Sequence, residues 1–396
     1  MKDKYVDQPA FSRRDFMRLT ALLTGAAALP KLAFSANADD PVRIGYLPIT
    51  DASPLLIAHA QGLFEQQGLQ VEAPKLFRSW AQIVEAFMAG QVNVVHLLSP
   101  MTIWARYGSH FPAKVVAWNH MSGSALTVGP SIKSIKDLGG KKVAVPFWYS
   151  IHNIVLQHLL RENGLTPVTK PKSELKGNEV ELAILPPPDM GPALANGAIA
   201  GFIVAEPFNA AAETNGVGRV LRFTGDVWRE HACCVVTMHE RDLRDRPKWS
   251  QKVVNGIVNA QHWIRDHRQE AAQILSKDAP GKYTPFPTPV LERVLVPNEA
   301  LTEQYVSSGA IQHPEWKDAR IDYQPYPFPS YTEQLVKILK ETQVEGDHAF
   351  LQSLDPRFVA KDLVDDRFVK KSIAAVGGLK AFGLPNRYVR KETLVA

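Results

Sequence analysis

The chain has 396 residues, 45 % of them hydrophobic, with a formal charge of +5 and only two cysteines, Cys233 and Cys234. That composition excludes a disulfide framework, a low-complexity chain and a strongly basic nucleic-acid binder, and the length suits two core-forming lobes. Residues 1–38 hold six basic and three acidic side chains, which leaves the remainder near +2 with the two signs interspersed.

In chain order the first feature is an export signal. Ser12-Arg13-Arg14-Asp15-Phe16-Met17 pairs two arginines, residues 19–32 form a mild apolar stretch, and Ala36-Asn37-Ala38 is a small-x-small cleavage site. The arginine pair predicts the twin-arginine route, cleavage after Ala38 and a periplasmic protein. The apolar stretch falls short of the roughly 20 residues that span a bilayer.

From residue 42 short apolar runs alternate with helical patterns, the signature of an α/β sheet. Strands are predicted at 42–47, 70–76, 92–98, 114–119 and 125–128. Helices are predicted at 54–66, 80–88 and 99–106. Ser53 is placed to cap the first, with Pro54 in its opening turn; Ser79-Trp80-Ala81-Gln82 reads as a capping box for the second. Gly139-Gly140 reads as a hinge into a second lobe with strands at 142–145, 181–185 and 201–205 and helices at 151–162 and 190–196. A strand at 233–238 is expected to return to the first lobe, followed by helices at 247–267 and 332–339. The expected division is therefore 1–38 signal, 39–140 first lobe, 141–232 second lobe, and 233–396 return with C-terminal helices.

Five junctions between these elements begin with Ser, Asp or Pro: Asp51-Ala52-Ser53, Ser79-Trp80, Ser99-Pro100, Tyr149-Ser150 and Pro188-Asp189. Any one alone is an ordinary helix cap. Their number, and their presence in both halves, points to a ligand cleft, because helix N-termini outside the carboxyl ends of strands favour anions and polar solutes.

Many short pieces between Arg43 and Arg268 carry a family resemblance. They include Ile44-Gly45-Tyr46-Leu47-Pro48-Ile49, Gly62-Leu63-Phe64, Gly90-Gln91-Val92-Asn93, His96-Leu97-Leu98-Ser99-Pro100-Met101 and Asp137-Leu138-Gly139-Gly140-Lys141. In the second half Ile184-Leu185-Pro186-Pro187-Pro188-Asp189-Met190 and Gly201-Phe202-Ile203-Val204-Ala205-Glu206-Pro207-Phe208-Asn209 look most like the nitrate and bicarbonate branch. Together they resemble the periplasmic solute-binding proteins of ABC importers for nitrate, bicarbonate, taurine and sulfonates. The resemblance implies a two-lobed type II periplasmic-binding-protein fold with a cleft between the lobes. It also implies a monomer without cofactor or enzymatic activity that hands a small anion or polar solute to a permease and its ATPase subunit, with no nucleic-acid partner.

The ligand-binding candidates are Asp51, Ser53, Trp80, Ser99, Tyr149, His152, Asp189, Glu206 and Cys234. The resemblance places Trp80 and His152 on the cleft, where indole and imidazole N–H groups suit a small oxyanion. Glu206 reads first as a hinge residue, since a carboxylate repels an anionic guest. Cys234 stands where nitrate and bicarbonate receptors place a basic residue, in a segment resembling His231-Ala232-Cys233-Cys234-Val235. A cleft without that charge loses a principal attraction for nitrate.

His231 with the two cysteines lacks the spacing of a zinc site, and adjacent strand residues point to opposite faces, so no metal is expected there. Two further readings use the same fold: a receptor for a pyrimidine-type vitamin precursor, stacked on Trp80, Trp148 and Tyr149, and an iron-dependent enzyme of pyrimidine-precursor synthesis. The enzyme reading lacks that family's longer cysteine run, and no Gly-x-Ser-x-Gly, His-Glu-x-x-His or Walker-type motif occurs.

Overall fold

A computed structural model describes residues 40–395; the twin-arginine segment and its cleavage site lie outside the described residues. Two sheets organise these residues. The first has the order Lys75–Leu76, Ile44–Tyr46, Val94–Leu98, Cys234–His239, Ala113–Trp118, and the second Arg219–Phe223, Ser124–Val128, Gly201–Ala205, Lys141–Val145, Glu179–Ile184, Thr166–Val168. Ile44–Tyr46 pairs in parallel with both neighbours. The return strand Cys234–His239 runs antiparallel between Val94–Leu98 and Ala113–Trp118. Strands 94–98, 124–128 and 201–205 are buried along their whole length, as their largely apolar sequences require. Among the described residues no helix is long and apolar enough to cross a membrane.

Local chemistry sets the helix starts. Ser79 Oγ accepts the Gln82 N–H (3.3 Å) ahead of Trp80–Met88, while the Gln82 side chain accepts from Arg78 N–H (3.1 Å). Ser150 caps Ile151–Glu162 in the same way, accepting from Asn153 N–H at 3.0 Å. Ser53 departs from expectation. It is the first residue of the helix Ser53–Ala60, and its hydroxyl donates back to Thr50 O at 2.6 Å. Thr50, Asp51 and Ala52 have already formed a short 3-10 turn, which places the helix start one residue earlier than a Ser53 cap requires.

The chain leaves the first sheet earlier than Gly139-Gly140. Strand Ser124–Val128, expected in the first lobe, lies between Gly201–Ala205 and Arg219–Phe223 in the second sheet. Gly140 instead binds Glu179 O (2.7 Å) at the start of Lys141–Val145, inside the second sheet's own turn. The crossing runs through Met121–Ser122, which pairs with Ile321–Asp322. Gly123 there has φ +77°, and a β-carbon on it would lie 2.9 Å from the Ile321 side chain, so only glycine fits. The return crossing passes beside it, where Ser122 N–H binds His231 O at 2.8 Å. Two backbone links join the lobes at this level: Glu206 N–H to Gly123 O, and Thr50 N–H to Glu206 O, each 2.9 Å.

The C-terminal third packs on the first sheet and clasps the second. Pro247–Asp266 packs on Ser53–Ala60 and Arg367–Ala375. Tyr331, in the helix Pro329–Glu341, stands edge-on to Trp118 (ring centroids 4.9 Å). Beyond that helix, Gln343 O accepts from Asn153 (3.1 Å) and Gln157 (2.8 Å) of the second lobe's long helix.

Candidate functional site

A buried polar cluster forms where the carboxyl ends of the first sheet face the second lobe. Asp51 comes from the turn after Ile44–Tyr46, His120 from the crossing after Ala113–Trp118, and Cys233 and Cys234 from the start of the return strand. All four are fully buried, and one ligand atom from each lies within 4.8 Å of the others. From the second lobe His152, at the N-terminus of Ile151–Glu162, brings Nε2 to 3.0 Å from Ser124 Oγ and 3.7 Å from Cys233 Sγ. The cysteines stay on one side because the strand begins at Cys234. Cys233 precedes it, with its carbonyl accepting the Ser99 N–H at 2.9 Å, so strand alternation does not separate them.

Hydrogen bonding assigns two of the imidazole tautomers. His96 Nε2 accepts the Leu47 N–H at 2.9 Å, so its proton sits on Nδ1. Thr224 donates its hydroxyl proton to Ser124 O, and therefore accepts from His231 Nε2–H at 2.8 Å. Burial pushes both imidazoles down to about 3, so they are neutral. Near them Trp80 Nε1–H and His96 Nδ1–H have no protein partner, with ring centroids 5.4 Å apart. Two buried donors aimed at no acceptor mark a place for a guest that accepts hydrogen bonds.

Charge is concentrated at the crossing. Burial raises Asp51 to about 6, partly offset by His120. Burial alone would lower His120, but Asp51, 2.9 Å away, outweighs it and brings the imidazole up to about 10. Burial would raise the Cys233 thiol; the Cys234 S–H and the nearby imidazoles outweigh it and hold Cys233 well below the usual thiol range. Cys234 moves the other way, through burial and the neighbouring Cys233 sulfur.

The sequence candidates divide into three groups. Asp51, Trp80, His152 and Cys234 lie in or against this cluster. Ser99 supports it from below, bonding Ala232 O (2.9 Å) and Tyr331 Oη (2.8 Å), while Ser53 is occupied within its own turn. Tyr149 packs among Trp104 and Phe350 with its hydroxyl on Asp347 O (3.4 Å), at the contact between the second lobe and the C-terminal segment. Asp189 is half exposed and pairs with Arg78 (3.6 Å), a bridge across the rim. Glu206 is fully buried, but its carboxylate is taken by Arg320 Nε (2.7 Å) and Ala210 N–H (3.1 Å), so its role lies in the hinge.

His120, Ser124 and His96 were not among the sequence candidates, and His231 and Cys233 were weighed only as part of a metal site and set aside. His120 follows a strand as the other junction residues do, but no helix pattern follows it to draw attention. A separate cavity of about 610 Å³ is bordered by Ser122, Gly225, Arg268, Arg293 and Arg320 and holds none of the sequence candidates. Its arginines are paired with Asp322, Glu213 and Glu206.

Two lobes with facing sheets, crossed by paired connections, and polar groups buried between them define the two-lobed periplasmic-binding-protein fold. The chain belongs to the NMT1-like family, which matches residues 35–276. It is 26 % identical over 258 residues to the nitrate/nitrite binding protein NrtA of Nostoc sp., covering 59 % of this chain and 56 % of that relative; the chain thus spans little more than half that protein's length. The fold is similar to the periplasmic nitrate-binding protein NrtA from Synechocystis (TM-score 0.69, 19 % identity, 89 % of this chain and 93 % of that one). It is also similar to the periplasmic aliphatic sulphonate binding protein SsuA from Escherichia coli (TM-score 0.55, 18 % identity, 76 % and 91 %).

Proposed function

We propose that this protein is the extracytoplasmic substrate-binding component of an ABC importer. It captures a small anion or polar solute of the nitrate, sulfonate or taurine type and delivers it to a membrane permease and its ATPase. The observation that carries this reading is the pair of unpartnered buried donors, Trp80 Nε1–H and His96 Nδ1–H, beside polar groups contributed by both lobes. The relatives' binding of nitrate and of sulfonates supports the solute class. Export to the periplasm through the twin-arginine signal, with cleavage after Ala38, belongs to the same reading, as does action as a monomer.

The donors facing the guest are neutral indole and imidazole, so affinity rests on hydrogen bonds in a water-poor site, not on a fixed guanidinium or ammonium. Trp80 is the sharper probe. Trp80→Phe keeps an aromatic ring in its buried position and removes the indole N–H together with part of the ring's bulk. A hydrogen bond to a charged guest contributes about 1.5–3 kcal/mol, so dissociation constants should rise at least about tenfold. Titration calorimetry with nitrate, taurine and an alkanesulfonate, on wild type and Trp80→Phe, reads this directly. A wild type that ignores all three solutes but binds a free aminopyrimidine would overturn the solute class in favour of a vitamin-precursor receptor. Unaltered affinity in Trp80→Phe would remove Trp80 from the site.

A further inference from the structure

We propose that Asp51, His120, Cys233 and Cys234 form a binding site for one thiophilic divalent cation, of the zinc or ferrous class. Four ligand atoms from three separate segments converge within 4.8 Å of one another. Four-coordinate zinc, with sulfur about 2.3 Å and nitrogen or oxygen about 2.0–2.2 Å away, holds tetrahedral donors about 3.3–3.8 Å apart, so the widest of these separations would close by up to about 1 Å around an ion. Two sulfurs and an imidazole select a soft or borderline metal; calcium and magnesium require cages of six or more oxygens.

A second observation also points to a cation. Both Asp51 oxygens are fully buried and accept no hydrogen bond from the protein. The group nearest them, His120 Nε2, is 2.9 Å from Asp51 Oδ2 and also 3.2 Å from the Cys234 N–H. That nitrogen serves either the carboxylate, as donor, or the amide, as acceptor. One nitrogen cannot satisfy both, and the other carboxylate oxygen is left without a donor. A cation shared by Asp51 and His120 would take both as ligands and neutralise the buried carboxylate. The way in is the cleft: His152 of the second lobe lies against Cys233 Sγ at 3.7 Å, so parting the lobes uncovers the sulfur side of the site. Cys234, standing where the family resemblance implies a basic residue, thus gains a chemical role of its own beside Cys233. The inference stands on the four donors and does not require the solute class proposed above.

Cobalt substitution provides the test. The full chain, reduced and stripped of metal by a chelator, is titrated with Co²⁺ and then with Zn²⁺ in competition with a chromophoric chelator. One cobalt per chain is expected, with thiolate-to-cobalt charge-transfer bands and the intense visible absorption of a tetrahedral ion, both displaced by zinc. Cys233→Ser and Cys234→Ser preserve side-chain shape. Each should weaken zinc binding by at least about 100-fold, beyond the 10–100-fold typical of losing a supporting partner. Circular dichroism of the metal-free variants separates lost ligation from lost folding. Failure of the folded, reduced wild type to take up stoichiometric cobalt would overturn the proposal, as would undiminished binding in the Cys233→Ser/Cys234→Ser double variant. Neither result would bear on solute capture, which the calorimetry reads separately.

Discussion

Glu206→Ala is expected to destabilise the protein by about 3 kcal/mol, within the range for stripping one partner from a buried ion pair. Arg320, largely buried, reaches this carboxylate through Nε at 2.7 Å and stays behind when it is removed. Glu213 at 3.6 Å and the Tyr305 hydroxyl at 2.8 Å retain part of its stabilisation, which keeps the loss below the extreme of that range. The Ala210 N–H also loses its acceptor, adding to the cost. Glu206→Gln keeps a side-chain oxygen for one of these donors and should lose less than the alanine variant. Urea unfolding near neutral pH measures both. A loss below about 1 kcal/mol for Glu206→Ala would show that the pair contributes little beyond a surface bridge.

The second large effect belongs to Asp362, which ties the C-terminal helix Pro356–Leu363 to the first lobe. Its carboxylate accepts Arg106 through Nε (2.6 Å) and Nη2 (2.9 Å) and the Tyr107 hydroxyl (2.8 Å), with Lys114 Nζ at 3.5 Å. The Arg106 hydrogen bonds, opposed by burial and reinforced by Tyr107 and Lys114, hold this carboxyl well below the usual carboxylate range. A depressed carboxyl contributes stability that is complete above its unfolded value, about 3.9, and fades as pH falls below it. Asp362→Ala should therefore cost about 2 kcal/mol at neutral pH, after discounting for a side chain 27 % exposed. The gap between wild type and variant should hold constant down to about pH 5 and close progressively under more acid conditions. Unfolding curves collected across that interval check both size and sign; a gap that widens on acidification would contradict the assignment.

How much was legible beforehand follows from which signals are local. Strands such as Gly201–Ala205 and helices such as Ile151–Glu162 were readable because apolar periodicity and a Ser cap lie within a few residues of each other. Sheet membership was not: Ser124–Val128 has the same pattern whichever sheet it joins, and its place is set by pairing with strands about 80 and 95 residues downstream. The hinge was misplaced for a related reason. Gly139-Gly140 is a conspicuous turn, whereas the real crossing at Gly123 is marked by a single glycine whose need arises from Ile321, far along the chain.

Of the candidates in this cluster, Asp51 stands at a helix-start junction that the sequence displays, whereas Trp80, His152 and Cys234 came from the family resemblance. His120, just past a strand, and His96, in the middle of one, carry no such marker. Glu206 and Asp189 share the junction signature, but Arg320 and Arg78, remote in sequence, claim their carboxylates. The two cysteines were set aside on strand alternation, a rule that begins one residue too late to apply to Cys233.

Closure of the two lobes around a solute is measured most directly by small-angle X-ray scattering, with and without a solute whose occupancy calorimetry has established. The chain crosses between the lobes beside Gly123 and Cys233, and closure there would retain the cross-lobe contacts of Arg78 with Asp189 and of Gln343 with Asn153 and Gln157. The radius of gyration should fall on saturation and recover when the solute is removed. An identical scattering profile at full occupancy would contradict capture by lobe closure.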